Sequence, residues 1–255
     1  MRVVIKVGTS TLAHSTGHLN IRRTDALCRV LSDLKNQGHE VILVSSGAIG
    51  MGVGKLALRE KPTDIPTKQA AAAVGQCELM YIYDKAFTEY NHTVAQILLT
   101  GSDFTSEERH ANFSNTMKRL LELSVLPIIN ENDTIATEEI KVGDNDTLSA
   151  LVAVSVGAEL LVILSDVEGL YSADPRKDPD ARLIEEVHGV TEEILALAGG
   201  EGSSLGTGGM RTKLRAAQIC TEEHCDLVIA NGENPALLYD IVSGTGKGYT
   251  RIFAE

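Results

Sequence analysis

The chain has 255 residues, 43% of them apolar, enough to bury the core of one large α/β domain and too many for a disordered chain. Asp and Glu number 35 against 23 Lys and Arg, a formal charge of -12 that argues against DNA or RNA as the main partner but leaves room for a local basic pocket. No leader-like segment precedes the first strand-like run, no apolar run approaches a membrane span, and Cys28, Cys77, Cys220 and Cys225 show no CxxC spacing. The expectation is a cytoplasmic protein with reduced, mostly buried thiols, no structural zinc and no membrane contact.

The first element is the apolar run RVVIKV (2–7), followed by GTS. Lys6 interrupts that run, and a buried lysine demands an anionic partner. Gly8 lets backbone N–H groups approach a phosphate; the same residues also read as a lysine snorkelling from a strand end. Ile21, Leu27, Val30, Leu31 and Leu34 then recur at helical spacing, with Gly38 as the stop. The second strand, VILVSS (41–46), runs into GAIGMGVG. Gly47, Gly50, Gly52 and Gly54 do not fit GxGxxG, so the stretch reads either as an anion cradle at a helix N-terminus, with Ser46 and Gly47 at the strand end, or as a tight strand-to-helix turn.

Helical patterns follow over 68–90 and 106–123, separated by the strand VAQILL (94–99). The strand VLPIIN (125–130) leads into ENDT, where Asp133 follows Asn132, and then into GDND. One helix over 146–157 needs one N-cap, yet Asp144, Asn145 and Asp146 stand in a row, a surplus that points to ligand contacts. The strand LLVILS (160–165) ends at Ser165 and Asp166. Residues 199–209 are the most glycine-dense part of the chain and fit a mobile surface loop, but MRTK follows them. Lys213 therefore falls in the first turn of an amphipathic helix behind a glycine loop. The spacing is not that of a Walker A loop, and SGTGKGYT (243–250) is a decoy for the same reason. The last strand of the pattern is DLVIAN (226–231).

Six buried-type strands with helices between them predict a three-layer α/β/α sandwich on a mainly parallel sheet, one domain over 1–255 with no linker. Ligands in such sheets bind beyond the carboxyl ends of the strands, where glycine, hydroxyl and carboxylate groups collect here. Two lysines, glycine loops and an acidic–amide cluster, with no evident catalytic triad, suit phosphoryl transfer, which needs positioning and charge neutralisation.

KVGTS, SSGAI, NENDTIATEEIKVGDNDTLSA, SDVEGLYSADPR and GTGGMRTK together resemble the amino acid kinase family over essentially the whole chain, and within it the members that act on glutamate. The resemblance implies the amino acid kinase fold and phosphorylation of the L-glutamate γ-carboxylate to γ-glutamyl phosphate, with ATP and Mg2+, as the first step toward proline. It implies that Lys6 and Lys213 neutralise the ATP phosphates and that Asp146 holds the lysines in place. Ser46, Gly47, Asp133 and Asn145 would bind glutamate. Gly8, Ser165, Asp166, Thr207, Gly208, Gly209 and Met210 would line the nucleotide with the lysines. It also implies a homo-oligomer, dimer or tetramer, and feedback by proline.

Many members carry a C-terminal PUA domain, for which this sequence leaves no room; Ser165 stands where Thr is common, and Arg211 where a small residue is. The competing readings are a kinase of the same fold for another acid, such as N-acetylglutamate, and a non-catalytic amino acid or nucleotide sensor.

Overall fold

The computed structural model describes residues 1–14, 18–60, 62–136, 144–175, 177–198 and 209–254. In chain order its elements are β1 (Arg2–Val7), α1 (Thr9–Leu12), α2 (Ile21–Asn36), β2 (Glu40–Ser45), α3 (Ala48–Lys55), α4 (Ile65–Thr88), β3 (Val94–Leu99), α5 (Gly101–Thr105), α6 (Glu107–Glu122) and β4 (Leu126–Glu131). There follow α7 (Asn145–Ser155), β5 (Leu160–Ser165), β6 (Glu186–His188), α8 (Glu192–Leu197), α9 (Gly209–Thr221), β7 (Asp226–Asn231), α10 (Leu237–Ser243) and β8 (Thr250–Phe253).

The strands of the described residues form one sheet in the order β3-β4-β2-β1-β5-β7-β8-β6. All pairings are parallel except β7 with β8. The six strands expected from apolar runs lie within one residue of their predicted limits, because strands covered on both faces are marked by unbroken β-branched sequence. The short outer strands β6 and β8 carry no such run: their burial alternates along three and four residues.

Side-chain alternation sorts β1 between two cores. Val3, Ile5 and Val7 pack on one face with Leu27 and Leu31 of α2 and Leu79 and Phe87 of α4. Val4 packs on the other with Leu148 and Val152 of α7 and Leu214 and Ala217 of α9. Lys6, two residues after Val4, is therefore directed to the α7–α9 side. This is the three-layer sandwich that the sequence predicts. Among the described residues no helix is long and apolar enough to cross a membrane.

Helix limits follow from caps. Asn20 and Asp64 each accept a backbone N–H three residues on, which starts α2 at Ile21 and α4 at Ile65. The start of α4 is three residues earlier than its apolar pattern indicates, since Pro66 is tolerated in a first turn. The glycines after β2 divide between two tasks. Gly47 has φ of +101 and turns the chain from β2 into α3, as the turn reading expects. Gly52 instead serves helix packing: a Cβ there would stand 1.8 Å from the carbonyl oxygen of Ala71 in α4. Gly75 is its counterpart, where a Cβ would stand 1.8 Å from the oxygen of Ala48. The pair lets two backbones touch next to the turn that carries Ser46. Gly75→Ala is expected to lower stability by about 1–3 kcal/mol, the range for overpacking a close contact, measured as a fall in urea midpoint. An unchanged midpoint would show that the helices can separate without cost.

Candidate active site

The register of the central strands sets the site. Val7 pairs with Ser45 of β2 and with Leu164 of β5, so the next residues, Gly8, Ser46 and Ser165, stand side by side at the carboxyl end of the sheet. The chain leaves β1 for β2 on one side, and β5 lies on the other, so β1 marks the point where strand order reverses.

At that point two helices deliver charge to Lys6. Asp144 is the N-cap of α7, its carboxylate accepting the Thr147 N–H at 2.8 Å. That single cap frees Asn145 and Asp146 for other contacts, which resolves the crowding of three capping-type residues. Asp146 is only 4% exposed. Its Oδ1 pairs with Lys6 Nζ at 2.6 Å, and its Oδ2 accepts Lys213 Nζ at 3.0 Å and Thr212 Oγ1 at 2.8 Å. Lys213 sits one turn into the described part of α9, where Nζ also donates to Gly209 O at 3.0 Å. Burial pushes the Asp146 carboxyl up, but the Lys6 and Lys213 ammonium groups outweigh it, helped by hydrogen bonds from Lys6 and Thr212, and hold it below its ordinary value of 3.8.

Two buried lysines on one buried carboxylate leave a surplus of one positive charge. Dissipating that charge in a protein interior needs an anion. At 4 Å and an effective dielectric near 20, one ammonium–phosphate contact is worth about 4 kcal/mol.

On the β2–β4 side of Lys6 the site is built from amides. Asn145 Nδ2 donates to Ser46 Oγ at 2.7 Å, to Asn130 Oδ1 at 3.0 Å and to the Ser45 carbonyl at 3.2 Å. Its own Oδ1 is buried and has no hydrogen-bond partner among the described residues. Asp133 lies in the turn just past β4, on this same side. On the β5–β7 side, Ser165 donates to Asp166 Oδ1 at 3.1 Å, Ser165 buried and Asp166 exposed. A Cβ on Gly8 would lie 3.8 Å from Lys6 Nζ, so local packing does not require glycine there. Gly209 opens the described part of α9 with free space around it, whereas Met210 packs against the α7–α9 core. Thr207 and Gly208 lie outside the described residues.

The structure thus joins Lys6, Asp146 and Lys213 in one cluster and Ser46 with Asn145 in a second. Three contributors escape sequence reasoning. Thr212 precedes Lys213 in MRTK but resembles any helix-surface threonine. Asn130 reads as the end of a strand, and Gln76, whose Oε1 accepts Asn130 Nδ2 at 2.9 Å, lies in an alanine-rich helix far away in sequence. Cys28 lies in the core on the α2–α4 face, and burial, helped by Asp25, pushes its thiol up to about 12.

The model of the amino acid kinase family matches residues 1–231. A glutamate 5-kinase of Clostridium perfringens is 53% identical over 251 residues, 97% of this chain and 93% of its own. That of Clostridium tetani is 54% identical over 246 residues, 96% of this chain and 92% of its own. The carbamate kinase of Giardia lamblia, solved with AMP-PNP, superposes with a TM-score of 0.71 at 20% identity, over 100% of this chain and 98% of its own, a likeness of fold.

Proposed function

This chain belongs to the amino acid kinase family, and from that premise we infer that it transfers the γ-phosphoryl group of ATP to the γ-carboxylate of L-glutamate. The product is γ-glutamyl phosphate, and the reaction is the first step toward proline. The observation that carries the chemistry is the buried Asp146 clamped between Lys6 and Lys213 where strand order reverses. The glutamate 5-kinases named above support the choice of acceptor.

In this reading a γ-carboxylate oxygen forms the new bond to phosphorus, and the bond to the β,γ-bridging oxygen breaks with its electron pair leaving on ADP. No proton moves. The acceptor carboxyl, with a reference pKa of about 4.3, is already ionised at neutral pH. A general base is not needed, and Asp146, itself below its ordinary value, is a poor one. Asp146 is a positioning residue: it holds the two ammonium groups where charge develops on the transferring group. Lys6, between the two halves, would meet the phosphoryl group in transfer.

The amide side would receive glutamate. The Asn145 oxygen and the Asp133 carboxylate suit its α-ammonium, and the Ser46 hydroxyl and Gly47 N–H suit its α-carboxylate. The Ser165–Asp166 side, with Gly8, Thr207, Gly208, Gly209 and Met210, would receive the nucleotide. Mg2+ would travel with ATP, held by phosphate and water. Both Asp146 oxygens face cations or Thr212, and Asp144 caps α7, so these two carboxylates do not form a cage for it. Among the described residues no group of three or more His, Cys, Asp or Glu is placed to hold a metal ion. A single kinase domain acting in the cytoplasm as a homo-oligomer, with feedback by proline, completes the reading.

The test is hydroxylamine trapping of the acyl phosphate, with Mg·ATP and glutamate, N-acetylglutamate or aspartate in parallel. Hydroxamate from glutamate alone is the expected result. Hydroxamate from another acid would move the substrate assignment, and none from folded, ATP-binding protein would overturn the kinase reading.

A further inference from the structure

A chain of amides runs from exposed Gln96 at the edge of the sheet through buried Gln76 and Asn130 to half-buried Asn145, whose oxygen has no hydrogen-bond partner among the described residues. Gln76 of α4 donates from Nε2 to Gln96 Oε1 of β3 at 3.3 Å. Its Oε1 accepts Asn130 Nδ2 at 2.9 Å. Asn130 Oδ1 accepts both the Glu131 backbone N–H at 2.9 Å and Asn145 Nδ2 at 3.0 Å. Gln76 is 9% exposed and Asn130 1%.

The two asparagines are oriented by backbone groups whose polarity is not in doubt, and Gln76 takes its orientation from Asn130. The Glu131 N–H can only donate, so Asn130 must turn its oxygen toward it. The Ser45 carbonyl can only accept, so Asn145 must turn its nitrogen toward that. Asn130 is then left with an amino group aimed away from the site, and Gln76 Oε1 is the acceptor that satisfies it. A buried amino group without an acceptor is costly, and the side chain would rotate to find one. Rotation of Asn130 withdraws the oxygen that holds Asn145. The Asn145 oxygen would then no longer be held in place as the acceptor for the site.

We propose that Gln76 is a positioning residue for substrate selection: through Asn130 it holds Asn145 with its oxygen toward the α-ammonium group of the amino acid acceptor. The inference rests on the assignment of the amide side to glutamate. A polarity fixed in this way favours a free, protonated amine and disfavours an acid that presents an acceptor at the same place.

The test compares the parent enzyme with Gln76→Met, which keeps length and removes both hydrogen bonds, Gln76→Ala, which leaves space for repacking, and Gln76→Glu, which keeps an acceptor for Asn130. Exposed Gln96 can turn its amide to donate to Glu at this position. The expected result is a rise of about tenfold in the KM for glutamate in the Met and Ala variants, the scale of one weakened hydrogen bond to a charged group. The KM for ATP stays near the parent value, kcat changes by less than about threefold, and Gln76→Glu restores the glutamate KM. A merely structural role would lower the folded fraction, and with it apparent kcat, without this split. A glutamate KM within twofold of the parent in both folded variants would overturn the proposal, as would a Glu variant no better than Met. Failure of the parent itself to phosphorylate glutamate would instead overturn the assignment of the site.

Discussion

Replacing either lysine by methionine is expected to lower kcat by about a thousandfold, the upper range for removing one electrostatic contact to a transition state, while the KM for glutamate moves by less than about threefold. The asymmetry follows from where the charge sits. With Lys6, Lys213 and Asp146 together, the cluster carries one surplus positive charge at the point where the strand order reverses. Removing either lysine leaves a neutral ion pair, so both variants lose the same surplus and fall by similar amounts. The amide cluster that would receive glutamate is bonded through Asn145, Ser46 and Asn130 and does not pass through either lysine. The double variant should fall further, because it leaves the buried Asp146 carboxylate unpaired, a negative charge facing the phosphates. Steady-state kinetics on the three proteins decides the matter: turnover near the parent value in either single variant would remove charge neutralisation from the mechanism.

Those two lysines were legible because each breaks a local rule. Lys6 is a charge inside an apolar strand, and Lys213 follows a glycine-dense stretch. The surplus of Asp144, Asn145 and Asp146 was legible as a surplus, and the structure sorts it into one cap, one amide contact and one ion-pair centre. The parallel strands were legible because burial on both faces leaves no room for polar alternation. The antiparallel β8 and its neighbour β6 were not, since short half-exposed strands carry little pattern. The glycines show a different limit. Sequence alone does not separate a glycine that turns a chain, as Gly47 does, from one that lets helices touch, as Gly52 and Gly75 do. Gln76 and Thr212 were hidden for a third reason: each acts through a partner more than fifty residues away, and no spacing rule connects them.

Asp146→Asn is expected to destabilise the fold by about 3 kcal/mol at neutral pH, the lower range for breaking a buried ion pair, because it leaves two buried ammonium groups facing a neutral amide. The sign of its pH dependence is fixed by the direction of the shift. The carboxyl lies below its ordinary value of 3.8 in the folded protein, so the unfolded chain binds its proton first. The stability it contributes is complete above that ordinary value and disappears as pH falls through the lower folded one. Urea midpoints should therefore differ between parent and variant by a constant amount from about pH 5 to 8, and the two curves should converge only below about pH 4. Turnover should fall with the substitution at every pH in the neutral range, and the parent should show no acid limb near neutrality that belongs to this carboxyl. An acid limb between about pH 5 and 7 that vanished in Asp146→Asn would assign it a role as proton acceptor, which a carboxylate nucleophile does not require.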